Sequence, residues 1–264
     1  MTKTWALVTG ASDGIGVEFA KLLAARGYNL VLVARREARL QEVAARMTAD
    51  HGVECRVVPC DLAVPGAARD LHSRVAELGV SVDFLVNNAG LLSNGYFHEI
   101  DLQRQEDMIQ VNVAALTSLT HLYVNDMLAR GGGHVLNVAS TAAFLGIPQQ
   151  NVYAATKAFV LPFSLALHDE LRSKGGRVVV TALCPGYTDT KMLDNPEQGP
   201  KLEVPKASVL AADFVAKEGI EGCLAGEAMV IPGLANRITM PLVQALPRTW
   251  VTRAVGFFYR KAQS

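Results

Sequence analysis

The chain has 264 residues, half of them hydrophobic and 19% charged, which is enough apolar material for a sizeable core and excludes disorder as the main state. Lys plus Arg and Asp plus Glu each total 25, so the net charge is zero and the basic excess of a general nucleic-acid binder is missing. The length suits one large α/β domain as well as two smaller ones.

Trp5–Thr9 is a short apolar run ended by Gly10 and reads as a buried strand. After a glycine-rich turn, residues 17–26 carry Phe19, Ala20, Leu22, Leu23 and Ala24 at helical spacing, and Gly27 ends that helix. Asn29–Ala34 is nearly continuous in Leu and Val, the mark of a strand covered on both faces, as in a parallel sheet. The alternation goes on with a helix over 36–49, a strand over 55–59, a helix over 65–78 and a strand over 82–86. A long helix is expected within 102–129, then a strand over 134–139, a helix over 152–173 and a strand over 177–183. A helix over 208–223 and a short strand over 228–231 complete it. Seven strands separated by helices predict a single-domain α/β fold, a Rossmann-like doubly wound parallel sheet, over residues 1–240. No linker composition, repeat or low-complexity tract divides it. Residues 186–206, rich in Gly, Pro, Asp and Asn after a strand end, read as a mobile substrate loop. Residues 241–264 read as a basic, aromatic C-terminal helical extension.

Cys55, Cys60, Cys184 and Cys223 form no C-x-x-C pair, and no histidines stand at metal-ligand spacing, so reduced thiols and no metal site are expected. Met1-Thr2-Lys3-Thr4 leads straight into the first strand without signal-peptide architecture, and a cytoplasmic location is expected.

The first turn reads Thr9-Gly10-Ala11-Ser12-Asp13-Gly14-Ile15-Gly16, between a strand and a helix. There glycines let backbone approach a dinucleotide pyrophosphate, and the helix N-terminus offers N–H donors. At the end of the second strand an NAD site usually places a carboxylate for the ribose 2′-hydroxyl. Here Ala34 is followed by Arg35 and Arg36, whose guanidinium groups suit a 2′-phosphate, so NADP(H) is expected over NAD(H); the alternative is a solvated helix start. Asp61 and Leu62 end the third strand beside the adenine position, and Asn87-Asn88-Ala89-Gly90 ends the fourth, with Gly90 allowing close approach.

Tyr153 and Lys157 lie four apart on a helix and share a face. A nearby ammonium favours the phenolate, which lets Tyr153 exchange a proton with a carbonyl or alcohol oxygen. Ser140, thirteen residues earlier and just after a strand, can hydrogen-bond the same oxygen. Asn112 stands inside a helix, where Asn is a poor helix former.

With these residues in place the chain resembles the short-chain dehydrogenase/reductase family, on Thr9–Gly16, Asn87–Gly90, Asn112, Ser140, the Tyr153/Lys157 pair, and Pro185-Gly186 followed by Thr188 and Thr190. The resemblance implies an oxidoreductase acting on a ketone or secondary alcohol through an Asn–Ser–Tyr–Lys tetrad. Tyr153 would be the general acid, and Lys157 would bind the nicotinamide ribose and tune Tyr153. Ser140 would polarise the carbonyl and Asn112 would hold a water. The Pro185 carbonyl, Gly186, Thr188 and Thr190 would help seat the nicotinamide. Cofactor contacts would also come from Gly10, Ser12, Asp13, Gly14, Ile15, Gly16, Asn88, Ala89 and Gly90. The Val33–Glu37 segment and basic tail are similar in style to 3-oxoacyl reductases and 17β-hydroxysteroid-dehydrogenase-like members, implying a substrate with an apolar body and a homodimer or homotetramer. Residues 91–97 and Phe144, Leu145 and Ile147 are candidate pocket residues, or simply loop packing. The rival function is a non-catalytic NADP(H)-binding regulator on the same scaffold.

Trp250, Ala254 and Phe257 or Phe258 can share one helical face rimmed by basic residues. A membrane-surface helix, a docking patch for a carrier protein, or a segment packed on its own sheet or a subunit neighbour all fit that pattern.

Overall fold

Successive side chains of a strand leave it on opposite sides, and here both sides are buried, which sets the layering of the whole chain. The structure is a computed structural model that describes residues 4–173, 175–190, 199 and 208–261. It begins with β1 (Trp5–Thr9), α1 (Gly14–Ala25), β2 (Asn29–Ala34), α2 (Glu37–His51), β3 (Cys55–Pro59), α3 (Ala67–Glu77) and β4 (Val82–Asn87). Next come α4 (Leu102–Ile109), a π-helical segment (Gln110–Ala115), α5 (Leu116–Arg130), β5 (Gly133–Val138), a 3-10 turn (Thr141–Phe144) and α6 (Asn151–Ser173). After β6 (Val178–Leu183) follow α7 (Ala212–Leu224), β7 (Met229–Val230), α8 (Leu234–Gln244) and α9 (Arg248–Lys261).

The seven strands are parallel in the order β3-β2-β1-β4-β5-β6-β7. Ala6 and Val8 of β1 enter a core with Phe19 and Leu23 of α1, Leu40 and Met47 of α2, and Val215 and Ile220 of α7. Trp5 and Leu7 enter the opposite core with Leu71 and Val75 of α3, Leu119 and Met127 of α5, and Leu171 of α6. Each fully buried Leu contributes about 1.5–3 kcal/mol by leaving water, so the two cores hold the strand ends in fixed register. Strand order reverses direction between β1 and β4, and the loops leaving those strands diverge to open a crevice at their C-terminal ends.

A polar layer lies inside this apolar body. Asn87 Nδ2 donates to Thr120 Oγ1 at 3.0 Å and to Asn137 Oδ1 at 2.9 Å, and Asn137 Nδ2 donates to Ser164 Oγ at 3.0 Å. It ties β4 and β5 to α5 and α6, the elements that carry the candidate catalytic residues.

Three expectations change, and a fourth lies largely outside the described residues. The long helix over 102–129 is broken by the π-helical segment at Asn112, where one extra residue per turn is accommodated. The helix expected from Ser208 starts at Ala212, because Leu210 is drawn into a parallel bridge with Thr188. The boundary at 240/241 falls inside α8, so the helical extension begins at Leu234. Of the loop over 186–206, residues 191–198 and 200–206 lie outside the described residues; its base, Tyr187–Asp189, is pinned by hydrogen bonds to Leu210.

Candidate active site

The crevice beside β1 and β4 holds a cavity of about 680 Å³, within the range of small-molecule sites. Gly10, Ser12, Asp13, Gly14 and Ile15 line one side, and Ala34, Arg35, Arg36, Asp61 and Leu62 another. Asn88, Ala89, Gly90, Arg104 and Thr190 complete the wall. The glycines are there for space. Gly10 has φ +67°, and a Cβ on it would meet Asn88 Nδ2 at 2.7 Å; a Cβ on Gly16 would collide with the Gly10 carbonyl. Gly14 has φ +53°. The turn is therefore a bare backbone cradle ending in the N-terminus of α1, whose first-turn N–H groups have no partner within their own helix. Asp13 Oδ1 accepts from Gly14 N at 2.9 Å. Thr9 Oγ1 accepts from both Asn88 N and Ala89 N at 3.0 Å, locking the two strand ends together.

Arg36 ends the extended segment after β2, and its Nη2 swings over the cradle to Ser12 Oγ at 3.1 Å and Asp13 Oδ2 at 3.4 Å. With Arg35 also on the cavity wall, two cations stand where the second strand ends in Ala34 rather than a carboxylate. Bare cradle, helix terminus and cation pair fit a dinucleotide with its phosphates on Gly10–Gly16 and its adenosine end toward Arg35, Arg36 and Asp61.

The reacting groups lie farther along the same sheet edge. Ser140 follows β5 and caps the 3-10 turn, its Oγ accepting from Ala142 N at 3.1 Å and donating to Pro185 O at 3.4 Å. Tyr153 and Lys157 come from the first turns of α6. Burial pushes the Tyr153 phenol above its ordinary range, while a hydrogen bond with Ser140 pulls the other way. The counterweight expected from Lys157 comes in this structure from Ser140. Lys157 Nζ lies 5.9 Å from the Tyr153 ring centroid and donates to Val138 O at 2.8 Å. Burial lowers its pKa to about 8.

Asn112 is buried in the π-helical segment. Its Oδ1 accepts from Leu91 N at 2.8 Å, while its Nδ2 donates to Leu91 O at 2.9 Å and Thr156 Oγ1 at 3.0 Å. The carboxamide is thus engaged with the chain itself, tying the loop after β4 to α6 one residue from Lys157. The loop after β6 also departs from expectation. The Pro185 carbonyl accepts from Thr141 N at 2.8 Å as well as from Ser140, which uses both lone pairs. A Cβ on Gly186 would meet Asn236 Nδ2 of α8, and Thr188 Oγ1 donates to Gly186 O at 3.1 Å. Of these residues Thr190 alone is on the cavity wall.

Leu145 and Ile147 pack around Tyr153 with Ala142, whereas Phe144 belongs to a neighbouring cluster with Val160. Sequence reasoning missed Tyr259. It comes from α9, packs beside Tyr153, and its hydroxyl is 2.8 Å from that of Tyr187 and donates to Gln150 Oε1 at 3.3 Å. No local signal marks it, since 106 residues separate it from Tyr153. Arg104, whose Nε donates to Ser93 Oγ at 3.1 Å at the cavity wall, was missed as well.

A doubly wound parallel sheet with a glycine cradle at its switch point, and a Ser–Tyr–Lys cluster at the next strand ends, defines a dinucleotide-binding oxidoreductase fold. The short chain dehydrogenase family profile matches residues 4–201, and the chain belongs to that family, whose members are oxidoreductases that bind a nicotinamide cofactor. It is 40% identical over 194 residues to the very-long-chain 3-oxoacyl-CoA reductase of Anas platyrhynchos, covering 71% of this chain and 61% of that one. The chain therefore spans about three fifths of the length of that relative. A solved structure concerned with 7β-hydroxysteroid dehydrogenase stereoselectivity superposes with a TM-score of 0.86 at 31% identity, covering 96% of both chains. The short-chain dehydrogenase of Sphingobium yanoikuyae in complex with NADPH gives 0.80 at 30% identity, covering 93% of this chain and 97% of that one. A short chain dehydrogenase/reductase of Burkholderia phymatum in complex with NAD gives 0.80 at 25%, covering 91% and 92%.

Proposed function

We propose that the protein reduces the carbonyl group of an apolar ketone, a 3-oxoacyl thioester or a steroid-like ketone, and that it uses NADPH. The observation that carries this reading is the meeting of the Ser140 and Tyr153 hydroxyls near Lys157, whose Nζ lies next to Gly90 on the wall of a cavity fit for a dinucleotide. When bound, the nicotinamide supplies the hydride that adds to the carbonyl carbon. Tyr153 holds at its Oη the proton that the reduced oxygen requires, and its burial keeps the phenol protonated near neutral pH. Ser140 Oγ, in reach of the same oxygen, donates as negative charge develops there. Lys157 carries a proton at neutral pH, with its pKa at about 8, while the Ser140 hydroxyl beside Tyr153 favours phenolate as the proton leaves. Leu145 and Ile147 beside Tyr153 offer an apolar wall to the body of the substrate. The cations at the end of β2 support the 2′-phosphorylated cofactor, and the named 3-oxoacyl-CoA and hydroxysteroid relatives support the substrate class.

Loss of NADPH absorbance across a panel of 3-oxoacyl thioesters and steroid ketones tests the reading. Tyr153→Phe is expected to lower kcat by about 10²–10⁴-fold with NADPH affinity retained. Unchanged turnover in the variant overturns the assignment of Tyr153. NADPH binding by the wild type without turnover of any ketone favours the regulator instead.

A further inference from the structure

Helix α9 has two faces with different tasks. Val255 and Tyr259 turn inward to the cluster around Tyr153, and Thr252 lies over Gly146. Trp250, Phe257 and Phe258 turn outward, each well over half exposed. Helix α8 has no buried residue and exposes Leu234, Ile238 and Leu242, spaced four apart along one stripe. Large aromatic and aliphatic groups on two consecutive helices are costly to leave in water.

The charge carried by this segment itself has one sign. From Ala228 to Ser264 there is no Asp or Glu, while Arg237, Arg248, Arg253, Arg260 and Lys261 are present. Arg237 is 3.4 Å from Glu218 of α7 in an exposed pair, and Arg248 and Arg253 are exposed on α9.

We propose that α8 and α9 seat the protein on an anionic lipid surface, with Trp250, Phe257 and Phe258 entering the interface and Arg248 and Arg253 meeting lipid phosphates. Aromatic residues with cations beside them are the composition of interfacial helices. A second copy is the poorer occupant. A two-fold contact would set this patch against its like, so the basic residues of each copy would meet an equally basic surface, and residues 228–264 hold no Asp or Glu to offset them. No described helix is long and apolar enough to cross a membrane, so the contact is a surface one. Because the inner face of α9 covers Tyr153, the seat lies beside the candidate active site.

The test is co-sedimentation of the whole protein with phosphatidylglycerol–phosphatidylcholine vesicles and with pure phosphatidylcholine. The chain has two Trp, and Trp5 is buried, so Trp250 reports the contact by its fluorescence. Expected are sedimentation with the anionic vesicles, a blue shift of emission, and weakening by added salt. Arg248→Gln with Arg253→Gln should weaken binding on the order of tenfold or more, since each cation near the surface contributes roughly fivefold. Trp250→Gln, Phe257→Gln and Phe258→Gln together should abolish it, with thermal unfolding measured to show that each variant is folded. Wild-type protein left in the supernatant with anionic vesicles, or emission unchanged by them, overturns the proposal. So does a vesicle-free dimer that the aromatic substitutions convert to monomer, which gives the face to a second copy.

Discussion

Lys157 is the clearest case of a residue that is costly to the apo fold. It is buried with a single hydrogen bond to Val138 O, and its pKa falls from 10.5 to about 8. Between those values the unfolded chain binds a proton that the folded chain does not, so the Lys157 contribution to stability rises with pH there and is fully unfavourable below pH 8. Lys157→Met is therefore expected to raise the thermal midpoint of the cofactor-free protein at pH 7, the gain reflecting about 3 kcal/mol of relieved charge burial less the lost hydrogen bond. The gain should shrink as pH approaches 10, and paired melts of the two proteins across that range check it. Arg35 and Arg36 make a second prediction. Replacing both with Ala removes charge-assisted contacts of about 1.5–3 kcal/mol each, so KM for NADPH should rise tenfold or more while KM for NADH changes little. Equal losses for both cofactors would remove these arginines from cofactor choice.

The π-helical segment joins a local irregularity to a candidate site position. Asn112 makes three hydrogen bonds from it, two to the Leu91 backbone and one to Thr156. An ordinary α-helix through Gln110–Ala115 would turn the carboxamide off that line, because the bulge shifts the facing of every later residue. Asn112→Leu leaves the Leu91 N–H and carbonyl without partners and is expected to cost about 2–4 kcal/mol. Leu91 lines the candidate cofactor cavity, so dinucleotide affinity is expected to fall as well. Denaturant midpoints and dinucleotide titration check the two effects separately.

Across the whole molecule, the site is closed by an element from the other end of the chain. Tyr259 ties α9 to Tyr187 after β6 and to Gln150 before α6, all around the Tyr153 cluster. Tyr259→Phe removes both contacts and leaves the half-buried Tyr187 hydroxyl without this partner, at about 1 kcal/mol. The expected outcome is faster protease cleavage within α8–α9 and a raised ketone KM with NADPH KM unchanged. Cleavage at the wild-type rate would show that apolar packing alone holds the helix.

Strand and helix order, the glycine cradle, and the Ser140, Tyr153 and Lys157 positions were legible in the sequence because each rests on local pattern: two-residue or helical periodicity, a turn composition, an i,i+4 pair. The cation pair after β2 was legible too, because strand ends map onto one sheet edge once the order of elements is known. The π-helical break at Asn112, the taking up of the Pro185 carbonyl by Ser140 and Thr141 after β5, and the arrival of Tyr259 beside Tyr153 were not. Each depends on contacts between segments tens to hundreds of residues apart, and a one-dimensional pattern carries no term for the shape of the space where they meet.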